Sequence, residues 1–202
     1  TGSEAYAQHA IKTLERIVER YRGTSDLDCD WPEETNSAEI LATWDAFEEC
    51  PLLSESQRQD FTLAVLQFMR SLVPHVSGDS QIGSGDLVTW NHTTFPLMGL
   101  YFGSRYFADY YGLSEARKHL DKAHACMLAQ ARSWKPQEDA DSYLTITMRH
   151  TIQYCLAEWK LEFLQSGRLR QYADYLIGIC DSAGWPSGFG DSGISRSATL
   201  IQ

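Results

Sequence analysis

"VTWNHTTFPLMGLYFGSRYF", Val88 to Phe107, decides the fold class. It is apolar and aromatic over most of its length and reads as a buried helix. Yet the helix opens on Asn91 and His92, an amide and an imidazole behind Trp90. Two questions follow: what helical architecture surrounds this segment, and what a polar start does for a helix that is otherwise interior.

Working outward, the same helical spacing recurs. Ala7, Ile11, Leu14, Ile17, Val18 and Tyr21 mark a first helix, with Ser3 as cap and Gly23 as stop. Residues 24–36 form an acidic loop. A second helix follows Asn36 or Ser37, buries Ile40, Leu41, Trp44 and Phe47, and ends at Pro51. Ser54 caps a third, with Phe61, Val65, Phe68, Met69 and Leu72 inside. Residues 75–90 read as a loop. The Asn91 helix ends near Gly112, a fifth runs from Ser114 to about Trp134, and a sixth from about Asp141 to Phe163. Gly167 breaks the chain before a seventh at 168–181. No segment reads as a strand.

The polar starts Asn36, Asn91, Asp141 and Asp191 recur roughly every 50 residues, two helices per unit. The expected fold class is therefore all-α: stacked helical hairpins forming part of an α/α toroid or incomplete barrel. Helices 91–111 and 141–163 suit the inner ring and 114–134 and 168–181 the outer. A closed toroid of six such hairpins needs roughly 300 residues. The 202 residues are thus expected to form a single helical domain that is a fragment of a larger toroid.

Composition narrows the function. Hydrophobic residues make up 43% and aromatics 12%, enough for a substantial core with ring surfaces to spare. The net charge of −10 argues against nucleic acid, whose phosphates need a basic surface. No run of about 18 apolar residues is present to span a membrane. The five cysteines, Cys29, Cys50, Cys126, Cys155 and Cys180, lack metal-ligand spacing, so no metal site is expected. Cys126, Cys155 and Cys180 read as buried thiols, and Cys29 and Cys50 as residues that could pair across a loop.

On the repeat register, Asn91, His92, Glu138, Asp139, Asp141 and Asp191 gather at one rim. Helix N-termini offer unpaired N–H groups and hold carboxylates well. Asn91 is equally a good N-cap, and Asn91-His92-Thr93 also matches a glycosylation sequon. Tyr143, Thr147, His150 and Tyr154 share one helix face, with Arg149 beside it. That face supplies proton donors and acceptors, or else is a hydrogen-bonded aromatic core. Trp90 and Trp185 are candidates for stacking on sugar rings.

"WNHTTFPLMGLYF" resembles the Asn-His segment of α/α-toroid polysaccharide lyases, the alginate, glucuronan and heparinase-like enzymes. The Tyr/His helix that follows is similar to their catalytic-Tyr segment. The resemblance spans about residues 88–191; the duplicated Asn of some members is absent, because Trp90 precedes Asn91. It implies a lyase that cleaves a uronic-acid-containing polymer by β-elimination, without a cofactor. Asn91 would neutralise the uronate carboxylate, His92 would be a base or orienting group, and Tyr143 the acid/base, assisted by Arg149 and His150. Trp90, Asp139, Asp141, Tyr154, Trp185 and Asp191 would contact polysaccharide. A secreted or periplasmic location would follow. Two alternatives share the architecture: a glycoside hydrolase using two of Glu138, Asp139, Asp141 and Asp191, and a non-catalytic helical module binding glycan or protein.

Overall fold

In a computed structural model, the protein is helical as expected; the structure describes residues 3–22, 34–77, 82–83, 87–88, 91–132 and 141–185. Among these, the helices are α1 (Glu4–Tyr21), α2 (Ser37–Phe47), α3 (Glu55–Ser71), α4 (Val73–Ser77), α5 (Asn91–Tyr110), α6 (Ser114–Gln130), α7 (Asp141–Ala157), α8 (Leu161–Gln165) and α9 (Arg168–Gly178). The segment read as a featureless loop holds α4 and a two-residue antiparallel ladder, β1 (Ile82–Gly83) with β2 (Leu87–Val88). Ladders that short lack the hydrophobic alternation that sequence reading detects.

The chain divides into two compact units, and the divisions fall within α4, α5 and α6. Unit 1 comprises residues 1–76 and 95–123; unit 2 comprises 77–94 and 124–202.

In unit 1, α1 packs lengthwise on α3. Ser54 caps α3 reciprocally: its hydroxyl accepts from Gln57 N–H, and the Gln57 side chain accepts from Ser54 N–H. Trp44 is fully buried and meets Phe61 edge-on at 6.0 Å, while Tyr21 meets Phe68 at 5.4 Å. Gly99 and Gly103 let α5 approach closely: a Cβ on Gly99 would lie 2.5 Å from Ser37 Cβ, and one on Gly103 2.9 Å from Met69 Cγ. A hydrogen-bonded line leads outward from this core. Trp44 Nε1 donates to Tyr106, Tyr106 donates to Tyr111, and Tyr111 donates to Glu48 at 2.7 Å. Burial, then the Glu48 bond, pushes the Tyr106 hydroxyl pKa far up, so it stays protonated.

Unit 2 corrects the expectation of one helix over 141–163. α7 stops at Ala157, and α8 begins at Leu161. The stop is a Schellman closure: Lys160 N–H donates to Cys155 C=O at 2.8 Å and Trp159 N–H to Leu156 C=O at 3.3 Å. Trp159 occupies the left-handed position, φ 52°, where glycine is usual, and the residue is 79% exposed. No glycine marks this stop, so helical spacing alone runs through it. A Trp here is strained by about 1 kcal/mol and packs little in return. Trp159→Gly is expected to raise stability by about 0.5–1 kcal/mol, seen as a higher urea midpoint with an unchanged slope. A lower midpoint would show that the exposed ring contributes more than the backbone strain costs.

Cys126 and Cys155 are buried as expected, but Cys180 is only half-buried, just beyond the last turn of α9. Burial pushes the Cys155 thiol pKa up to about 11. Cys50 is a free thiol, so the structure does not bear out a pairing with Cys29, which lies outside the described residues.

Candidate functional site

The site is built on the first turn of α5, the last turn of α6 and the middle of α7, all within unit 2. α6 carries the stripe Ala116, Leu120, Ala123, Met127, Gln130, so its periodicity turns Gln130 inward. Gln130 is 2% exposed. Its amide nitrogen donates to Thr147 C=O at 2.8 Å and to Thr151 Oγ1 at 2.6 Å, with Thr94 Oγ1 at 3.5 Å. Thr151 Oγ1 itself donates to Thr147 C=O at 2.9 Å. These acceptors fix the amide orientation and leave Gln130 Oε1 with no hydrogen-bond partner.

His150 sits beside this group, 2% exposed, with Nδ1 3.2 Å from Thr94 Oγ1. Arg149 Nη2 lies 3.5 Å from its other ring nitrogen. A guanidinium can only donate, so Nε2 accepts and Nδ1 carries the proton toward Thr94. Burial, reinforced by the Arg149 charge, pushes the His150 pKa down to about 3. The imidazole is therefore neutral over the physiological range.

That depression has a pH signature. The unfolded chain takes up the proton near pH 6.5, the folded chain only near pH 3. Between these values the unfolded state holds more protons, so acid favours unfolding. The contribution is fully present above about pH 6.5 and declines by up to about 1.4 kcal/mol per pH unit below it. His150→Gln is expected to flatten this limb. From about pH 7 to about pH 5, wild type should lose about 2 kcal/mol more than the variant in urea titrations. Parallel losses in the two proteins would contradict a neutral buried His150.

The sequence-selected residues distribute as follows. Thr147, His150 and Tyr154 are interior, Tyr143 and His92 are half-buried, and Arg149 is exposed. Tyr154 is fully buried, and its hydroxyl lies 2.8 Å from His124 Nδ1. Trp185 follows α9 in a turn where Asp181 accepts from the Ala183 and Trp185 N–H groups. Asn91 and Asp141 open their helices, but only their backbones are described. Trp90, Glu138, Asp139 and Asp191 lie outside the described residues.

The helix register also differs from the repeat. A period of 50 sets Asn91 level with Asp141. The hydrogen bond instead pairs Thr94 with His150, 56 residues apart. The first turn of α5 therefore meets the middle of α7, about 13 Å beyond the α7 start. Thr94 and Gln130 were missed from sequence: one looks like a helix-start hydroxyl, the other like a polar residue at a helix end.

Among the described residues, no group of His, Cys, Asp and Glu could hold a metal ion, and no helix is long and apolar enough to cross a membrane. Comparison with protein-family models, with curated proteins and with solved structures found no match.

Proposed function

We propose that this chain is part of a carbohydrate-active protein built of helical hairpins, of the α/α-toroid kind. In this reading it cleaves a uronic-acid-containing polymer by β-elimination. One observation carries the reading: the Thr94–His150 hydrogen bond brings the turn bearing Asn91 and His92 against the helix bearing Tyr143 and Arg149. The residues this reading uses thus belong to two elements that are far apart in the chain and joined by this bond.

The chemistry assigns each a task. Removing the C5 proton of a uronate leaves charge that spreads into the carboxylate, so that carboxylate must first be neutralised. Arg149, exposed and fixed in charge, does this together with the Asn91 amide. His92 or Tyr143 takes the C5 proton, the C4–O bond breaks as the C4=C5 double bond forms, and Tyr143 returns a proton to the leaving oxygen. His150 is neutral and buried, so it takes no part in proton transfer; its Nε2 steadies Arg149, and Thr94 steadies its ring.

The test is incubation with a panel of polyuronates while following the ultraviolet absorbance of the conjugated double bond. Growth of that band with polyuronate, and none with the methyl-esterified polymer, is expected. New reducing ends without the band would replace elimination with hydrolysis. Binding without any cleavage would leave a glycan-binding module.

A further inference from the structure

Unit 1 holds a feature beside its N-terminal helix that the proposed catalysis does not use. α1 presents Tyr6, Ala10, Thr13 and Ile17, one stripe at helical spacing. α2 presents Ile40, Thr43 and Phe47, a second stripe. Between them runs an open groove in two adjoining parts, of about 510 Å³ and about 290 Å³, sharing Tyr6 and Ala10 on their walls. The wall is mainly apolar, and Tyr6 is 72% exposed at its edge. Both stripes belong to the same unit.

The groove is lined by two carboxylates and one imidazole, His9, which lies in the same part as Glu39. Glu4 lines the part beside Phe47 and Pro51, and Glu39 lines the part beside Ile17. Both carboxylates are on exposed residues, and no Lys or Arg lines either part. The chain as a whole carries −10. Two apolar stripes with one carboxylate in each part of the groove suit the shape and charge of an amphipathic helix. The required anchors sit at every third or fourth position, with basic residues flanking them.

We propose that the α1–α2 groove is a docking site for an amphipathic helix of a partner protein, apolar on one face and basic at its flanks. The apolar face enters between Tyr6, Ala10 and Phe47, and the flanking ammonium or guanidinium groups reach Glu4 and Glu39. Their attraction raises the association rate and fixes the direction of the helix more than it adds affinity.

The probe is a dye-labelled synthetic helix with Leu on one face and Lys elsewhere, followed by fluorescence anisotropy. Two control peptides accompany it: a scramble of the same composition, and the amphipathic helix with Glu replacing Lys. Saturable one-to-one binding of the Lys helix, at least about tenfold tighter than either control, is expected. Ala10→Trp, which fills the groove where its parts meet, and Tyr6→Ala, at an exposed position, should each weaken binding by about tenfold or more. The double variant Glu4→Lys with Glu39→Lys should reverse the preference toward the Glu helix. Far-ultraviolet circular dichroism verifies that each variant is folded. Equal binding of the scramble would assign the attraction to net charge alone and overturn the proposal. So would no binding of the Lys helix, or unchanged binding in both Ala10→Trp and Tyr6→Ala.

Discussion

Replacing Gly99 with leucine should cost the protein about 3 kcal/mol or more, read as a fall in the urea midpoint. The space for a side chain is already taken. A Cβ at this position would stand 2.5 Å from Ser37 Cβ and 2.9 Å from Leu72 Cδ1. Ser37 is fully buried, and its hydroxyl donates to Phe95 C=O at 3.0 Å, so moving it aside breaks an interior hydrogen bond. Gly99→Ala separates packing from propensity. Alanine favours a helix by about 1 kcal/mol over glycine. The close approach outweighs that gain, so Gly99→Ala is also destabilising. A stabilised Gly99→Ala would mean that α5 stands further from α2 than this packing requires.

Tyr143→Phe should lower turnover on a polyuronate by about 10²–10⁴-fold while leaving polymer binding nearly unchanged. Tyr143 is half-buried on α7, so phenylalanine keeps the ring packing and removes only the hydroxyl. Substrate and transition state meet the same ring, but only the transition state uses the proton. Arg149→Ala should behave differently. Losing the guanidinium weakens both binding and turnover, because the carboxylate is held in both states. Full turnover in Tyr143→Phe would remove the phenol from the reaction and leave His92 as the residue to examine.

The sequence disclosed the helices well and their breaks unevenly. Ser54 was recognisable as a cap because Gln57 completes a local signature, and Gly112 and Gly167 mark stops because only glycine takes a positive φ freely. The stop at Trp159 was hidden, since a tryptophan carries the left-handed turn there. Burial of the α7 face was legible from the spacing of Thr147, His150 and Tyr154. Their partners were not. Thr94 and Gln130 come from other helices, and no local pattern says which hydroxyl or amide will meet a buried imidazole. The level at which the helices touch was hidden for the same reason. Helix starts can be counted in a sequence, but the level at which two helices touch depends on packing. Thr94 meets His150 rather than a residue near Asp141. The polar opening of α5 thus gains a physical account through its third residue along. Thr94 turns inward to pair with His150, while His92 stays half-buried.

The central claim is elimination at a uronate, and the mass of the released oligosaccharides tests it most directly. Elimination forms the C4=C5 double bond without adding water, so each new non-reducing end is lighter by one water than its hydrolytic counterpart. The account predicts products that are lighter by one water, formed by wild type and nearly absent with Tyr143→Phe. Fully hydrated products, or an intact polymer after prolonged incubation with the whole panel, would contradict it.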